Sequence, residues 1–159
     1  MLAIEVYTDG SSQNPGVGGF GAIMKCGKQE RIIRGFSTKR TTNNSMELQP
    51  MIEVMKWLNI YQKTPCKVTF YTDSSYIVNC TNTSMKDGTK KKTDWYKGRL
   101  NEELWLEFIH ACKKGGHKAS FVKIKGHSGN ELNERCDRIA KEELAKARHA
   151  LYEKLCENA

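Results

Sequence analysis

Tyr7-Thr8-Asp9-Gly10-Ser11 and Tyr71-Thr72-Asp73-Ser74-Ser75 share one form: each closes a β-like run with an aspartate. The run before the first is Leu2-Ala3-Ile4-Glu5-Val6-Tyr7, in which Leu2, Ile4 and Val6 alternate onto one face. The run before the second is Lys67-Val68-Thr69-Phe70. A strand that ends in Asp delivers a carboxylate to the rim of a sheet. Two neighbouring strands ending this way set two carboxylates side by side, where like charges resist ionising together. A fold keeps such a pair when a cation sits between them, most often a hard divalent metal that takes oxygen ligands.

Outward from these blocks, Gly18 to Met24 and Arg31 to Phe36 read as two further strands, and the short link from Cys26 to Glu30 makes them a hairpin. Ser12-Gln13-Asn14-Pro15-Gly16 is turn chemistry. The glycines at 16, 18, 19 and 21 are not a dinucleotide fingerprint, because no helical pattern follows them; close backbone packing explains them better. Met51, Ile52, Met55 and Leu58 recur at helical spacing after a cap at Asn44, and Pro50 predicts a kink or a distorted first turn. A short helix spans Ser75 to Cys80, and Leu104, Phe108, Ile109 and Cys112 mark another. Ala119 to Ile124 is a fifth strand, Gly126 to Asn130 a loop, and Ile139, Ala140, Leu144, Ala147, Leu151 and Leu155 belong to a last helix. The order predicts an α/β fold: a mixed five-stranded sheet with helices on both faces. Residues 1–159 read as a single domain, with 138–159 as its C-terminal helix or tail.

The 159 residues suit one core. No apolar run reaches the length of a membrane span, and strand-like sequence follows Met1 at once, so the expected compartment is the cytoplasm. The six cysteines form no CxxC and read as free thiols. A formal net charge of +8 favours a polyanionic partner, nucleic acid being the commonest. The excess is local: Lys86, Lys90, Lys91, Lys92, Lys97 and Arg99 form one group, and Lys113, Lys114, Lys118, Lys123 and Lys125 another. Composition alone leaves a solvated face equally open.

Four carboxylates stand at element boundaries: Asp9, Glu47, Asp73 and Asp137. Each has an ordinary alternative. Asp9-Gly10 is a common turn dipeptide. Glu47 follows Asn44 by three, as in a capping box. Asp73 could cap the next helix, and Asp137 could sit on a solvated helix face. Together they point to a metal-dependent hydrolase of phosphodiesters. His127, between glycines in Lys125-Gly126-His127-Ser128-Gly129, has no apolar face to pack on and suits proton transfer. His110, His117 and His149 read as surface or packing residues, and Trp57 and Trp105 as core. Trp95-Tyr96, inside the basic stretch, are placed to touch nucleic acid.

The same residues carry a family resemblance. Tyr7 to Ser11, Asn14-Pro15-Gly16-Val17-Gly18-Gly19-Phe20-Gly21-Ala22-Ile23, Thr41-Thr42-Asn43-Asn44-Ser45-Met46-Glu47-Leu48, Thr72-Asp73-Ser74-Ser75-Tyr76, Lys125 to Asn130 and Asn133-Glu134-Arg135-Cys136-Asp137 resemble the ordered motifs of type-I ribonuclease H, the bacterial-like ribonuclease HI family. The resemblance implies a ribonuclease-H-like fold and an endoribonuclease that cuts the RNA strand of RNA/DNA hybrids. It implies two Mg²⁺ ions, with Mn²⁺ a possible substitute, held by Asp9, Glu47, Asp73 and Asp137, and His127 aiding proton transfer or product release. It places Asn14, Thr42, Asn43 and Asn44 against the hybrid, and makes the Lys86 to Arg99 stretch, with Lys90, Lys91, Lys92 and Trp95, a basic protrusion that grips substrate. The expected state is a monomer that starts and stops like a free-standing enzyme, with no membrane partner. Two features depart from better-known bacterial members: Trp95 is the protrusion's one tryptophan, and Ser75 stands where Gln is frequent. The rival classes are a resolvase-like DNA nuclease of the same fold and a non-catalytic nucleic-acid-binding module.

Overall fold

The first three apolar runs, the first of them alternating, make three long strands that turn back on one another. The computed structural model describes residues 1–82, 89–126 and 128–158. It contains β1 (Leu2–Ser12), β2 (Gly16–Cys26), β3 (Gln29–Thr41), α1 (Asn43–Tyr61), β4 (Cys66–Thr72), α2 (Ser75–Thr81), α3 (Glu102–Gly115), β5 (Lys118–Lys123) and α4 (Glu131–Glu157). The strands form one sheet in the order β3-β2-β1-β4-β5. β1, β2 and β3 pair antiparallel, whereas β1–β4 and β4–β5 are parallel. Parallel neighbours need crossover connections, and the helices supply them. The expected mixed five-stranded α/β sheet with helices on both faces is what the chain forms.

The main core lies between the sheet and the pair α1 and α3. Val6, Val68 and Phe70 of the sheet meet Leu48, Met51, Ile52 and Met55 of α1 and Trp105 and Phe108 of α3. On the other face α4 packs through Ile139, Leu144 and Ala147 against Ile23 and Val17. The glycines of β2 do serve close packing. A Cβ on Gly19 would lie 2.3 Å from the Leu144 nitrogen and 2.6 Å from the Ala140 carbonyl, so any side chain there would push α4 off the sheet.

Helix α1 departs from the sequence expectation at its start. Its cap is Thr42, whose extended backbone lets Oγ1 accept from the Ser45 N–H at 3.2 Å, while Ser45 Oγ accepts from the Thr42 N–H at 2.9 Å. Asn44 is already helical. Nor does Pro50 distort the first turn: the helix runs unbroken from Asn43 to Tyr61. Proline has no N–H to give the Met46 carbonyl, and that carbonyl instead faces Gly10 of β1. The cysteines are free thiols, with Cys66, Cys80 and Cys136 buried. Trp105 is fully buried, whereas Trp57 is half-buried under the Arg31 guanidinium. His117 is the packing residue of the three histidines read as surface or packing: it is buried and accepts from the Cys66 N–H through Nδ1. No helix among the described residues is long and apolar enough to cross a membrane.

Candidate active site

Two neighbouring strands and one helix bring three of the four carboxylates together. Tyr7 of β1 lies opposite Tyr71 of β4 in the parallel register, so Asp9 and Asp73, each two residues further on, stand at one level. β1 does not end at Asp9 as its sequence suggested: antiparallel pairing with β2 carries it on to Ser12, with Asp9 opposite Gly21, whereas Asp73 directly follows β4. Glu47 reaches them from α1. One oxygen from each of Asp9, Glu47 and Asp73 lies within 4.8 Å of the other two. Gly10 makes this approach possible, because a Cβ there would sit 2.1 Å from the Met46 carbonyl oxygen and hold β1 away from α1. Opposite, a Cβ on Gly126 would lie 3.0 Å from Asp73 Oδ2.

The ordinary roles open to two of these residues are filled by others. Ser74, not Asp73, caps α2, its Oγ accepting from the Ile77 N–H at 3.2 Å. Ser45, not Glu47, completes the capping box of α1. Asp9 Oδ1 accepts from the Gly10 N–H at 2.9 Å.

Bringing acids together in a sheltered place disfavours their charge. Burial first, and the Asp73 charge second, push Asp9 up to about 7; the Asp9 residue is only 5% exposed. Burial, then Asp9, hold Glu47 well above the usual carboxylate range. Glu47 Oε2 is shut from solvent and has no hydrogen-bond partner among the described residues. A buried carboxylate oxygen with no donor, facing two further carboxylates, fits a hard divalent cation, which takes oxygen ligands and cancels the repulsion. Cys136 lies close by, but burial pushes its thiol up to about 12 and its Sγ sits 3.3 Å from the Tyr7 carbonyl. A protonated thiol of that kind is packing, not a ligand.

Asp137 stands outside this trio. It projects from α4, partly exposed, with Oδ2 3.0 Å from Lys141 Nζ. Its charge still reaches Asp9 and raises it further, so it belongs to the same rim. His127 lies outside the described residues, as does Lys86.

The polar residues expected against nucleic acid gather on the same rim. Asn14, at φ 50° in the turn after β1, accepts through Oδ1 from the Asn43 N–H at 3.0 Å. Thr42 spends its hydroxyl as the α1 cap, and Asn43 is exposed beside it with Asn44 half-buried. Glu47 follows one turn on.

The basic segment is more divided than its sequence. Lys90 and Lys92 are exposed, whereas Lys91 is half-buried with its ammonium 2.9 Å from the Asn79 carbonyl and 2.6 Å from that of Cys80. Trp95 packs edge-on to Trp105 with ring centres 5.1 Å apart, which joins it to the main core and leaves its ring only partly exposed. One residue that sequence reasoning missed is Tyr76. Its hydroxyl accepts from Trp105 Nε1 at 2.9 Å and from Asn101 Nδ2 at 3.1 Å, and donates to the Leu100 carbonyl at 2.9 Å. The available signal was Asn101, a residue type suited to the left-handed conformation that it adopts before α3.

Known proteins resemble this chain in sequence and in fold. A sequence model of the RNase H family matches residues 2–145. A ribonuclease H of Acetivibrio thermocellus is 43% identical over 150 residues, 92% of this chain and 97% of that one. A ribonuclease HI of Helicobacter pylori is 42% identical over 147 residues, 92% of this chain and 96% of the other. Among solved structures, LC9-RNase H1, a type 1 RNase H with the type 2 active-site motif, superposes with a TM-score of 0.73 at 27% identity, covering 92% of this chain and 74% of its own. LC11-RNase H1, solved in complex with an RNA/DNA hybrid, shares the fold with a TM-score of 0.70 at 24% identity, covering 91% and 98%.

Proposed function

The chain belongs to the RNase H family, and from that membership we propose that it is an endoribonuclease hydrolysing the RNA strand of RNA/DNA hybrids by a two-metal mechanism. The observation that carries the proposal is the convergence of Asp9, Glu47 and Asp73, with an oxygen of each within 4.8 Å of the others, beside a buried Glu47 oxygen that has no donor among the described residues. Asp137 completes the ligand set from α4. Mg²⁺ suits an all-oxygen donor set, and bound there it supplies Lewis acidity and an activated water at the scissile phosphate.

The protein's own groups bind and orient the duplex. Asn14, Thr42, Asn43 and Asn44 line the rim beside Glu47 and meet one strand. The exposed cations of the basic segment meet phosphates further along, which supplies affinity but no sequence preference. Selection for RNA on the cleaved strand rests on 2′-OH contacts and minor-groove shape, because an A-form-like duplex hides its major groove. His127 takes or gives a proton near the leaving group, the role its loop setting suits. In this reading residues 1–159 are one domain that works as a monomer in the cytoplasm.

Cleavage tests the proposal. With Mg²⁺ the protein should cut the labelled RNA strand of an RNA/DNA hybrid, leave single-stranded RNA and duplex DNA intact, and lose activity in EDTA. Comparable cleavage of duplex or branched DNA would move it to the resolvase-like class.

A further inference from the structure

We propose that Lys91 is a positioning residue that fixes where the basic segment meets substrate, while its neighbours Lys90 and Lys92 are the ones that reach phosphates. This rests on the hybrid-cleaving reading above. Three consecutive lysines are indistinguishable in sequence, and the structure separates them. The Lys91 ammonium gives hydrogen bonds to the Asn79 and Cys80 carbonyls and lies 5.2 Å from the centre of the Trp95 ring. Those carbonyls belong to the last turn of α2, and among the described residues no backbone N–H serves them, so Lys91 closes that end. An ammonium has three N–H groups; with two on carbonyls and an aromatic face beside it, little is left for a phosphate. Burial and the nearby Arg99 charge also disfavour its protonated form, unlike a lysine held ready in solvent.

The same ring is held from a second side. The Arg99 guanidinium lies 6.0 Å from the Trp95 ring, and its Nε donates to the Trp95 carbonyl at 2.9 Å. Trp95 in turn rests on the fully buried Trp105. At the other end of α2, the Tyr76 hydroxyl ties down Leu100 and Asn101. The basic segment is thus fastened to both ends of one seven-residue helix, and that helix starts two residues after Asp73. Its placement relative to the carboxylates is set through α2. Releasing the Lys91 tie should shift the segment without removing a phosphate contact.

That difference can be read in the salt dependence of KM. Lys91→Ala, Lys91→Arg, Lys90→Ala and Lys92→Ala are compared with the parent protein on one hybrid, with Mg²⁺, at several salt concentrations. Lys91→Ala should raise KM about tenfold at every salt concentration, the weight of one or two hydrogen bonds, with kcat and the slope of log KM against log salt unchanged. Lys91→Arg should restore KM to within about threefold, since a guanidinium can serve both carbonyls and stack on Trp95. Lys90→Ala and Lys92→Ala should each flatten the slope by up to about one unit. A Lys91→Ala slope flattened by the same amount would make Lys91 a phosphate contact and overturn the proposal. So would an unchanged KM, or a loss that Lys91→Arg does not repair. Binding of a fluorescent hybrid in EDTA, measured on the same variants, keeps the two readings apart. The Lys91 pattern in binding without any cleavage sinks the activity alone; cleavage by all variants with a Lys91→Ala salt slope like that of Lys90→Ala sinks the positioning role alone.

Discussion

At Asp9, Glu47 and Asp73, three groups of one sign are held within 4.8 Å, and a buried Glu47 oxygen has no donor among the described residues. At Lys91, Trp95 and Arg99, two cations share one aromatic ring, and each finds a backbone carbonyl. The first region leaves its electrostatics unresolved and the second resolves them internally. Unresolved charge of one sign marks a place where something from outside completes the site. A satisfied cation marks a structural tie even where its neighbours in sequence reach outward.

The sharpest way to break this contrast is to remove one acid. Asp73→Asn should lower turnover on a hybrid by about 10³-fold or more, since several kcal/mol of metal-borne stabilisation depend on the ligand set. The same variant should fold as well as the parent or better without metal, because a source of repulsion is gone. Full activity in Asp73→Asn would end the assignment.

Gly10→Ala tests whether proximity itself is what matters. Its Cβ would meet the Met46 carbonyl at 2.1 Å, so α1 must move away from β1. The expected result is a loss of about 2–4 kcal/mol in stability to urea, in the range of strained core substitutions, with metal affinity reduced as Glu47 is drawn off. A variant as stable and as active as the parent would show that the cluster tolerates a looser approach.

On the cationic side, replacing Lys90, Lys91 and Lys92 together by alanine should raise KM while kcat changes little. The slope of log KM against log salt should flatten by about two units and not three, because Lys91 is turned inward. An unchanged slope would mean that none of this run touches substrate.

The smallest effect is on pH dependence without metal. Asp9 is raised to about 7 from an ordinary 3.8, so between those values the folded protein holds a proton that the unfolded chain releases. The contribution to stability is fully present below the lower value and is lost as pH rises through the upper one. Asp9→Asn should therefore remove a fall in stability, on the order of 1–3 kcal/mol, between about pH 4 and 7. Denaturant melts of both proteins in EDTA measure it, and parallel pH curves would contradict the assigned cause. Mg²⁺ should flatten the parent's curve in the same window.

Much of this molecule was legible in its sequence, and the parts that were not share a reason. Alternation of apolar residues set the strands, helical spacing set the helices, and their order predicted a mixed five-stranded sheet, because periodicity reports which face each segment buries. Asp9, Glu47 and Asp73 stood out because each read as an element boundary, although Asp9 lies within β1 and Glu47 within α1. Their convergence depended on the Tyr7–Tyr71 register and on the contact of Gly10 with Met46, both long-range. Thr42 displaced Asn44 as the cap because capping needs an extended backbone as well as a suitable side chain, and neighbouring polar residues compete for that place. Lys90, Lys91 and Lys92 carry the same charge in the sequence. Which of them turns inward was decided only when the end of α2 presented the Asn79 and Cys80 carbonyls and Trp95 settled against Trp105, because a side chain's partners are fixed by elements that meet in space and not by its neighbours along the chain.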